Sequence, residues 1–227
     1  MKIFLTGHNG FIGSHLHKHL CNKHEIITTE DNLLYCDLNY DVDLVIHLAA
    51  LPGVVYSLKH PFHVLYNNIK SSYRIFKHFK CPIIYASSST VYEPWRNPYA
   101  LSKWIVEKIA PKHSMGLRFT TIYGEGGRQE MFMHKLKTKT LTYVVKDTFR
   151  DFLHINDLLS AFSIILNNNI LFQGCKDIGS GSLVCLSSLA PNVKQVNKKW
   201  YDRSQNKADN EWLLNQGWNI TRKLFDI

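Results

Sequence analysis

Tyr99 and Lys103 stand four residues apart in the segment YALSK. On a helix the two side chains share one face, a turn apart. An ammonium there stabilises a phenolate and brings the tyrosine toward the working range of a general base. That spacing alone is common by chance. A serine cluster adds to it: YASSSTVY, residues 85–92, closes an apolar run on Ser87, Ser88 and Ser89. At the carboxyl edge of a parallel sheet a serine hydroxyl can hold a reacting oxygen beside the tyrosine. Taken alone, the cluster is equally a serine-rich turn.

A third constellation is TGHNGFIG, residues 6–13, in which Gly7, Gly10 and Gly13 bracket Phe11 and Ile12. Glycines there allow a tight turn after a strand and let backbone N–H groups approach a pyrophosphate at a helix N-terminus. An ordinary turn can share the spacing. The setting between an apolar strand and a helix is what the dinucleotide reading requires. Asp31 follows Gly13 by 18 residues, with Glu30 beside it. A carboxylate at that place accepts both ribose hydroxyls of NAD and repels the extra phosphate of NADP. Asp31 is the better placed of the two. Asp37 either meets the adenine side or is a solvated loop aspartate.

These groups need a scaffold, and the chain reads as one. Strands are expected at Lys2–Thr6, Glu25–Glu30, Asp43–Ala49, Pro82–Ser87 and Gly116–Tyr123, and helices at about 14–22, 61–79 and 99–110. Strands alternating with helices predict an α/β fold, a Rossmann-type doubly wound parallel sheet with a small C-terminal substrate-binding lobe. Near-continuous apolar runs such as DLVIHLA suit a sheet covered on both faces. The expected division is an NAD-binding domain over 1–124, with 150–178 returning to it, and a substrate-binding lobe from 125–149 and 179–227.

Composition narrows the function classes. With 227 residues, 45% hydrophobic and 20% charged, the chain can bury one good core. No apolar run reaches the roughly 18 residues that span a bilayer, and MKIFLTGHNG lacks a signal peptide's apolar stretch. The expectation is a cytoplasmic protein with no membrane partner. Five scattered cysteines without a CxxC pair read as reduced thiols rather than a zinc site. His15 and His19 lie i,i+4 with no third ligand, so no metal is expected. The formal charge of +9 is dispersed along the chain and suits pyrophosphates better than nucleic acid.

Further segments fall in a recognisable order: DLVIHLAA (43–50), SLKHPFHVLYNNIKSS (57–72) with Asn68, GLRFTTIYGEGGRQEM (116–131), RDFLHINDL (150–158), DIGSG (177–181) and, more weakly, DRSQNKAD (202–209). Together with the glycine loop, SSSTVY and YALSK, they resemble the extended short-chain dehydrogenase/reductase family, the NAD-dependent epimerase/dehydratase group. Within it, PGVVYSLKHP and LRFTTIYGEGGRQEM look most like the UDP-glucuronate 4-epimerases, which share Thr121 where many relatives have Asn.

The resemblance implies that Ser88, Tyr99 and Lys103 are catalytic. It implies NAD contacts from the glycine loop and from Asp31, Asp37, Leu38, Leu48, Ala49, Ala50, Tyr99 and Lys103. Substrate contacts fall on Ser88, Ser89, Thr121, Arg128, Arg150 and Arg203. Guanidinium groups match phosphate bidentately, although each arginine could instead form a surface ion pair. Dehydratases of the group place Asp-Glu after the catalytic hydroxyl and decarboxylases a Glu. Here Ser89 and Thr90 follow Ser88, which leaves 4-epimerisation of a UDP-hexose or UDP-uronic acid. The alternatives are a reductase or dehydratase of the same family, or a non-catalytic NAD-binding regulator. The resemblance also implies a homodimer through the helices at 61–79 and 99–110. The chain departs from the family in its short loops. Only 11 residues separate Ser88 from Tyr99, and Glu93 follows Tyr92 where Gly is usual.

Overall fold

The computed structural model describes residues 1–168, 170, 173–222 and 224. In chain order its elements are β1 (Lys2–Thr6), α1 (Phe11–Leu20), β2 (Glu25–Ile27), β3 (Leu44–His47), α2 (Val54–Lys59), α3 (Pro61–His78), β4 (Ile83–Ser88), α4 (Pro98–Ile109), β5 (Ser114–Phe119), β6 (Thr121–Tyr123), α5 (Phe132–Lys137), β7 (Val144–Val145), β8 (Phe149–His154), α6 (Ile155–Asn167), β9 (Gly174–Ile178), β10 (Leu183–Cys185), α7 (Leu186–Leu189), β11 (Gln195–Val196) and α8 (Glu211–Leu214). Short 3-10 turns occupy Ser89–Tyr92 and Pro94–Arg96. The chain forms two compact units, one of residues 1–118 with a return segment ending at Lys176, the other of 119–170 and the chain from Asp177 on.

The first unit is built on a six-stranded sheet of order β2-β1-β3-β4-β5-β9, in which β2, β1, β3 and β4 run parallel. Ile3, Phe4, Leu5, Val45, Ile46, Ile83 and Ile84 are wholly buried, because helices cover both faces of these strands. Thr6 pairs with His47 at the carboxyl edge. The strand order reverses between β1 and β3, and such a switch point opens a crevice at the carboxyl ends. The glycine loop leaves β1 there. Pro61 and Pro98 open α3 and α4, where a missing N–H costs nothing. Asn97 caps α4, its side chain accepting the Ala100 N–H at 2.9 Å. That cap fixes the helix start one residue before Pro98 and so sets the place of Tyr99.

The second unit holds β6, β8 and β10 in one sheet and β7 with β11 in another. Its own core gathers Tyr123, Met133, Val144, Phe152, Leu186 and Ala190. Asp151 on β8 is fully buried. Its carboxylate accepts from Ser180 N at 2.6 Å, Ser180 Oγ at 2.8 Å, Gly181 N at 2.9 Å and Ala208 N at 3.0 Å. One side chain thereby closes two loops onto the strand that carries Arg150.

The structure departs from the sequence expectation in several places. The strand expected over 25–30 stops at Ile27, since β2 is an edge strand with only three residues in register with β1. The strand expected over 116–123 is two strands in different sheets, divided at Thr120, where the chain passes between units. Apolar pattern alone cannot register a change of partner strand. Residues 149–167 group with the second unit, because β8 pairs with β6 and β10, so the return to the first unit is shorter than the expected 150–178. The short helix α2 is unmarked in the sequence pattern.

Asp151→Ala leaves one buried and two part-buried backbone donors without their carboxylate partner. We expect a loss of about 3 kcal/mol or more in urea denaturation. A loss below about 1 kcal/mol would contradict the keystone role of this carboxylate.

Candidate active site

Gly7 has φ of +75°, a conformation in which an L side chain is strained. A Cβ at Gly13 would lie 2.1 Å from the Gly7 carbonyl oxygen, so loop and helix touch backbone to backbone. Gly10 N–H donates to that same oxygen at 3.0 Å. Gly10 caps α1 without a side chain, and the first turn of α1 carries no acid. The first turn of α1 therefore sets no acidic side chain against an anion at its N-terminus. This cradle fits a pyrophosphate.

Asp31 is exposed beyond the end of β2, and among the described residues no donor engages its carboxylate. It is available to ribose hydroxyls. Asp37 is committed locally: its two oxygens accept Asn39 N at 3.2 Å and Asn39 Nδ2 at 3.0 Å. Leu38 is buried in the core beside β1. Leu48, Ala49 and Ala50 follow β3 directly, with Ala49 N–H donating to Thr6 Oγ1 at 3.3 Å. A Cβ on Gly7 would meet Ala49 N at 2.7 Å, so these two loop starts are neighbours.

Ser88 ends β4 at 8% exposure. Its Oγ accepts from Thr90 N at 3.2 Å and Thr90 Oγ1 at 3.0 Å. Both bonds use Ser88 as acceptor, which leaves its own O–H to donate. Ser89 is buried beside it. Tyr99 is half-buried in the first turn of α4, and Lys103 lies buried one turn on. Lys103 Nζ donates to Ala86 O at 2.8 Å. Burial pulls the Lys103 ammonium down to about 8, against the opposing pull of Glu107.

A chain of neutral hydrogen bonds braces this cluster. Ser72 Oγ donates to Asn68 O at 2.7 Å and so accepts from His47 Nε2 at 3.1 Å. His47 Nδ1 then accepts from Thr6 Oγ1 at 2.8 Å. Burial, with Lys103 nearby, holds His47 down to about 3, so the ring stays neutral. Asn68 binds Leu51 through both amide groups, at 2.8 and 3.1 Å, and donates to Ser102 Oγ at 3.1 Å. Ser102 in turn donates to Tyr99 O at 2.8 Å. Asn68 belongs to a motif visible in the sequence. The roles of Thr6, His47, Ser72 and Ser102 depend on strand register and helix packing, which no single motif displays.

The remaining candidates belong to the second unit. Arg150 is largely buried, with Nη1 on the carbonyls of Phe149 at 2.8 Å and Arg203 at 3.1 Å. Burial lowers it to about 10, partly offset by Asp202. Thr121 Oγ1 accepts from Asn206 Nδ2 at 3.5 Å. Arg128 pairs with Glu130 at 3.2 Å on a partly exposed surface, the ion-pair alternative left open for it by the sequence.

Residues 3–172 match the NAD dependent epimerase/dehydratase family. The chain belongs to that family. NAD is the family's cofactor, and the glycine cradle and Asp31 fit it. A UDP-glucose epimerase of Bacillus subtilis (strain 168), YtcB, described as uncharacterized, is 27% identical over 280 aligned positions, covering 93% of this chain and 89% of its own. That alignment is longer than this chain's 227 residues, so YtcB carries insertions that this chain lacks. UDP-glucuronate 4-epimerase 5 of Arabidopsis thaliana is 27% identical, covering 70% of this chain and 52% of its own. The solved structure of MoeE5 in complex with UDP-glucose and NAD superposes with a TM-score of 0.87 at 24% identity, covering 99% of this chain and 95% of that one. This likeness carries the family fold.

Burying the Lys103 ammonium costs the NAD-free protein about 3 kcal/mol. Below pH 8 both folded and unfolded states hold the proton, and the cost is complete. Between about 8 and 10.5 only the unfolded state holds it, so stability rises with pH. Lys103→Met should therefore be more stable than the unsubstituted chain below pH 8 and lose that advantage toward pH 10.5. Denaturation across pH checks this; a destabilised variant at pH 7 would contradict it.

Proposed function

We propose that this member of the family is a nucleotide-sugar 4-epimerase acting on a UDP-hexose or UDP-uronic acid through a 4-keto intermediate. The observation that carries the reading is the neutral pair after Ser88. Ser89 is buried, Thr90 is bonded to Ser88, and Glu93, the first acid beyond them, is held by Arg96 at 2.9 Å. Elimination of water or loss of carbon dioxide needs a further acid or base at the reacting sugar. Epimerisation needs only one group to take and return a single proton.

In this reading Tyr99 removes the proton of the sugar 4-hydroxyl, and Ser88 donates its free O–H to the same oxygen. Lys103 keeps the phenolate accessible and meets the nicotinamide ribose. NAD, when bound, would supply the hydride acceptor and donor that oxidation and re-reduction at C4 require. The first unit is then the NAD-binding unit. The second is then the substrate-binding lobe, and the family resemblance supports substrate roles for Thr121, Arg150 and Arg203 in it. The uronate preference is supported by the resemblance to UDP-glucuronate 4-epimerases at Thr121.

Incubation with UDP-glucuronate should yield UDP-galacturonate with no net change in NADH absorbance. Absence of product from this and other common nucleotide sugars, with NAD bound, would sink the reading. Consumption of added NADH would mark a reductase instead. Tyr99→Phe should keep NAD and lose turnover by at least about a hundredfold.

We also propose a homodimer through α3 and α4. Phe62, Tyr66 and Tyr73 on α3 are 85%, 55% and 45% exposed, and Trp104 on α4 is 37% exposed. Contiguous aromatic surface of this kind marks an interface. Light scattering should give the dimer mass, and Phe62→Asp with Tyr66→Asp should give a monomer. A monomeric unsubstituted chain would refute the assembly.

A further inference from the structure

Glu107 lies one turn beyond Lys103 on α4, so Tyr99, Lys103 and Glu107 share a face. Its side chain is only 6% exposed. The Glu107 carboxylate accepts from Ser87 and Arg118, on two strands, and the Cys175 thiol on β9 also bonds to it. Ser87 Oγ donates to Oε1 at 2.5 Å. Arg118 on β5 donates through Nε to Oε1 at 2.9 Å and through Nη2 to Oε2 at 2.8 Å. Arg118 is itself held over the Tyr92 ring, 4.9 Å from the centroid, and donates to the Tyr92 hydroxyl at 3.1 Å. Ser87 immediately precedes Ser88. The chain from Ser88 to Tyr99 is short and runs through the two 3-10 turns, and the Lys103 bond to Ala86 and the packing of Val106 with Ile83 and Tyr85 also join α4 to β4.

We propose that Glu107 is a positioning residue of the candidate active site. It ties the Ser87–Ser88 end of β4 to the helix carrying Tyr99 and Lys103, and it is the anion that balances the buried Lys103 ammonium. This deepens the epimerase reading and rests on it for the roles of Ser88 and Tyr99. Around Lys103 stand Glu107 and Tyr99 on its own helix and His47 on β3, neutral at working pH, while Glu107 itself is faced by Arg118 on β5, Cys175 on β9 and Tyr85 on β4. Glu107 is the one carboxylate acting on Lys103 among the described residues.

Two variants separate the links. Ser87→Ala cuts the tether and leaves the Glu107–Arg118 pair intact. It should lower kcat about tenfold or more, with KM and NAD content unchanged and the pH profile in place. Glu107→Gln removes the charge. It should lower kcat and move the alkaline limb of the kcat profile to lower pH, since Lys103 then loses its proton sooner. Unchanged kcat in Ser87→Ala overturns the tether, and an unmoved alkaline limb in Glu107→Gln overturns the link to Lys103. A stability cycle on the NAD-free protein decides without any substrate. Lys103→Met should raise the denaturation midpoint at pH 7 more in the Glu107→Gln background than in the unsubstituted chain, and equal gains overturn the proposal. Lack of turnover in the unsubstituted protein would count against the epimerase reading alone, because the stability cycle reports on Glu107 regardless.

Discussion

The rest of the first unit is arranged around one costly constraint, the burial of the Lys103 ammonium. Among the described residues its bond to protein is to one backbone carbonyl, that of Ala86. Burial, reinforced by the nearby Lys103 charge, keeps His47 on β3 a neutral ring. Its neutrality is what allows the relay from Thr6 through His47, Ser72, Asn68 and Ser102 to the Tyr99 carbonyl to fix geometry without adding charge. Glu107, the carboxylate that acts on Lys103 among the described residues, is bonded to Ser87, Arg118 and Cys175. The buried ammonium can act on a neighbouring phenolate. This is stability given up at the candidate site, a common place for undersatisfied groups.

The second unit solves a different problem by different means. It has little regular structure between its short strands, and buried carboxylates take the place of long ladders. Asp151 gathers the turn at 180–181 and the chain at Ala208. Asp157 does the same for the later chain, accepting from Thr221 N at 3.1 Å, Thr221 Oγ1 at 2.8 Å and Arg222 N at 3.1 Å. Backbone donors around a carboxylate are strong, directional and neutral. Such clamps can hold irregular loops, and loops are where substrate-contacting residues tend to be placed.

Legibility in the sequence followed the range of the interaction. The glycine loop, the Tyr99/Lys103 spacing and the apolar strands are local signals, and the structure places them as a parallel sheet with the loop at its switch point. Asp31 was singled out by its distance to the loop, and among the described residues no donor engages its carboxylate. Asp37 was left open between two readings, and its turn with Asn39 favours the local one. The split at Thr120, the membership of β8 and α6, and the Glu107 clamp were not readable. Each depends on which strand lies alongside which, and a single sequence carries no direct record of pairing. Glu107 sits at a spacing from Lys103 that was visible, yet nothing local says that Ser87 and Arg118 converge on it.

The central claim is that one tyrosine and one hydroxyl pass a proton while hydride leaves and returns to the same carbon. The most direct measurement is turnover of a UDP-sugar deuterated at C4, read by NMR of the product. The account predicts epimerised product with the deuterium retained at C4. Loss of the label to solvent or to released NADH would contradict it.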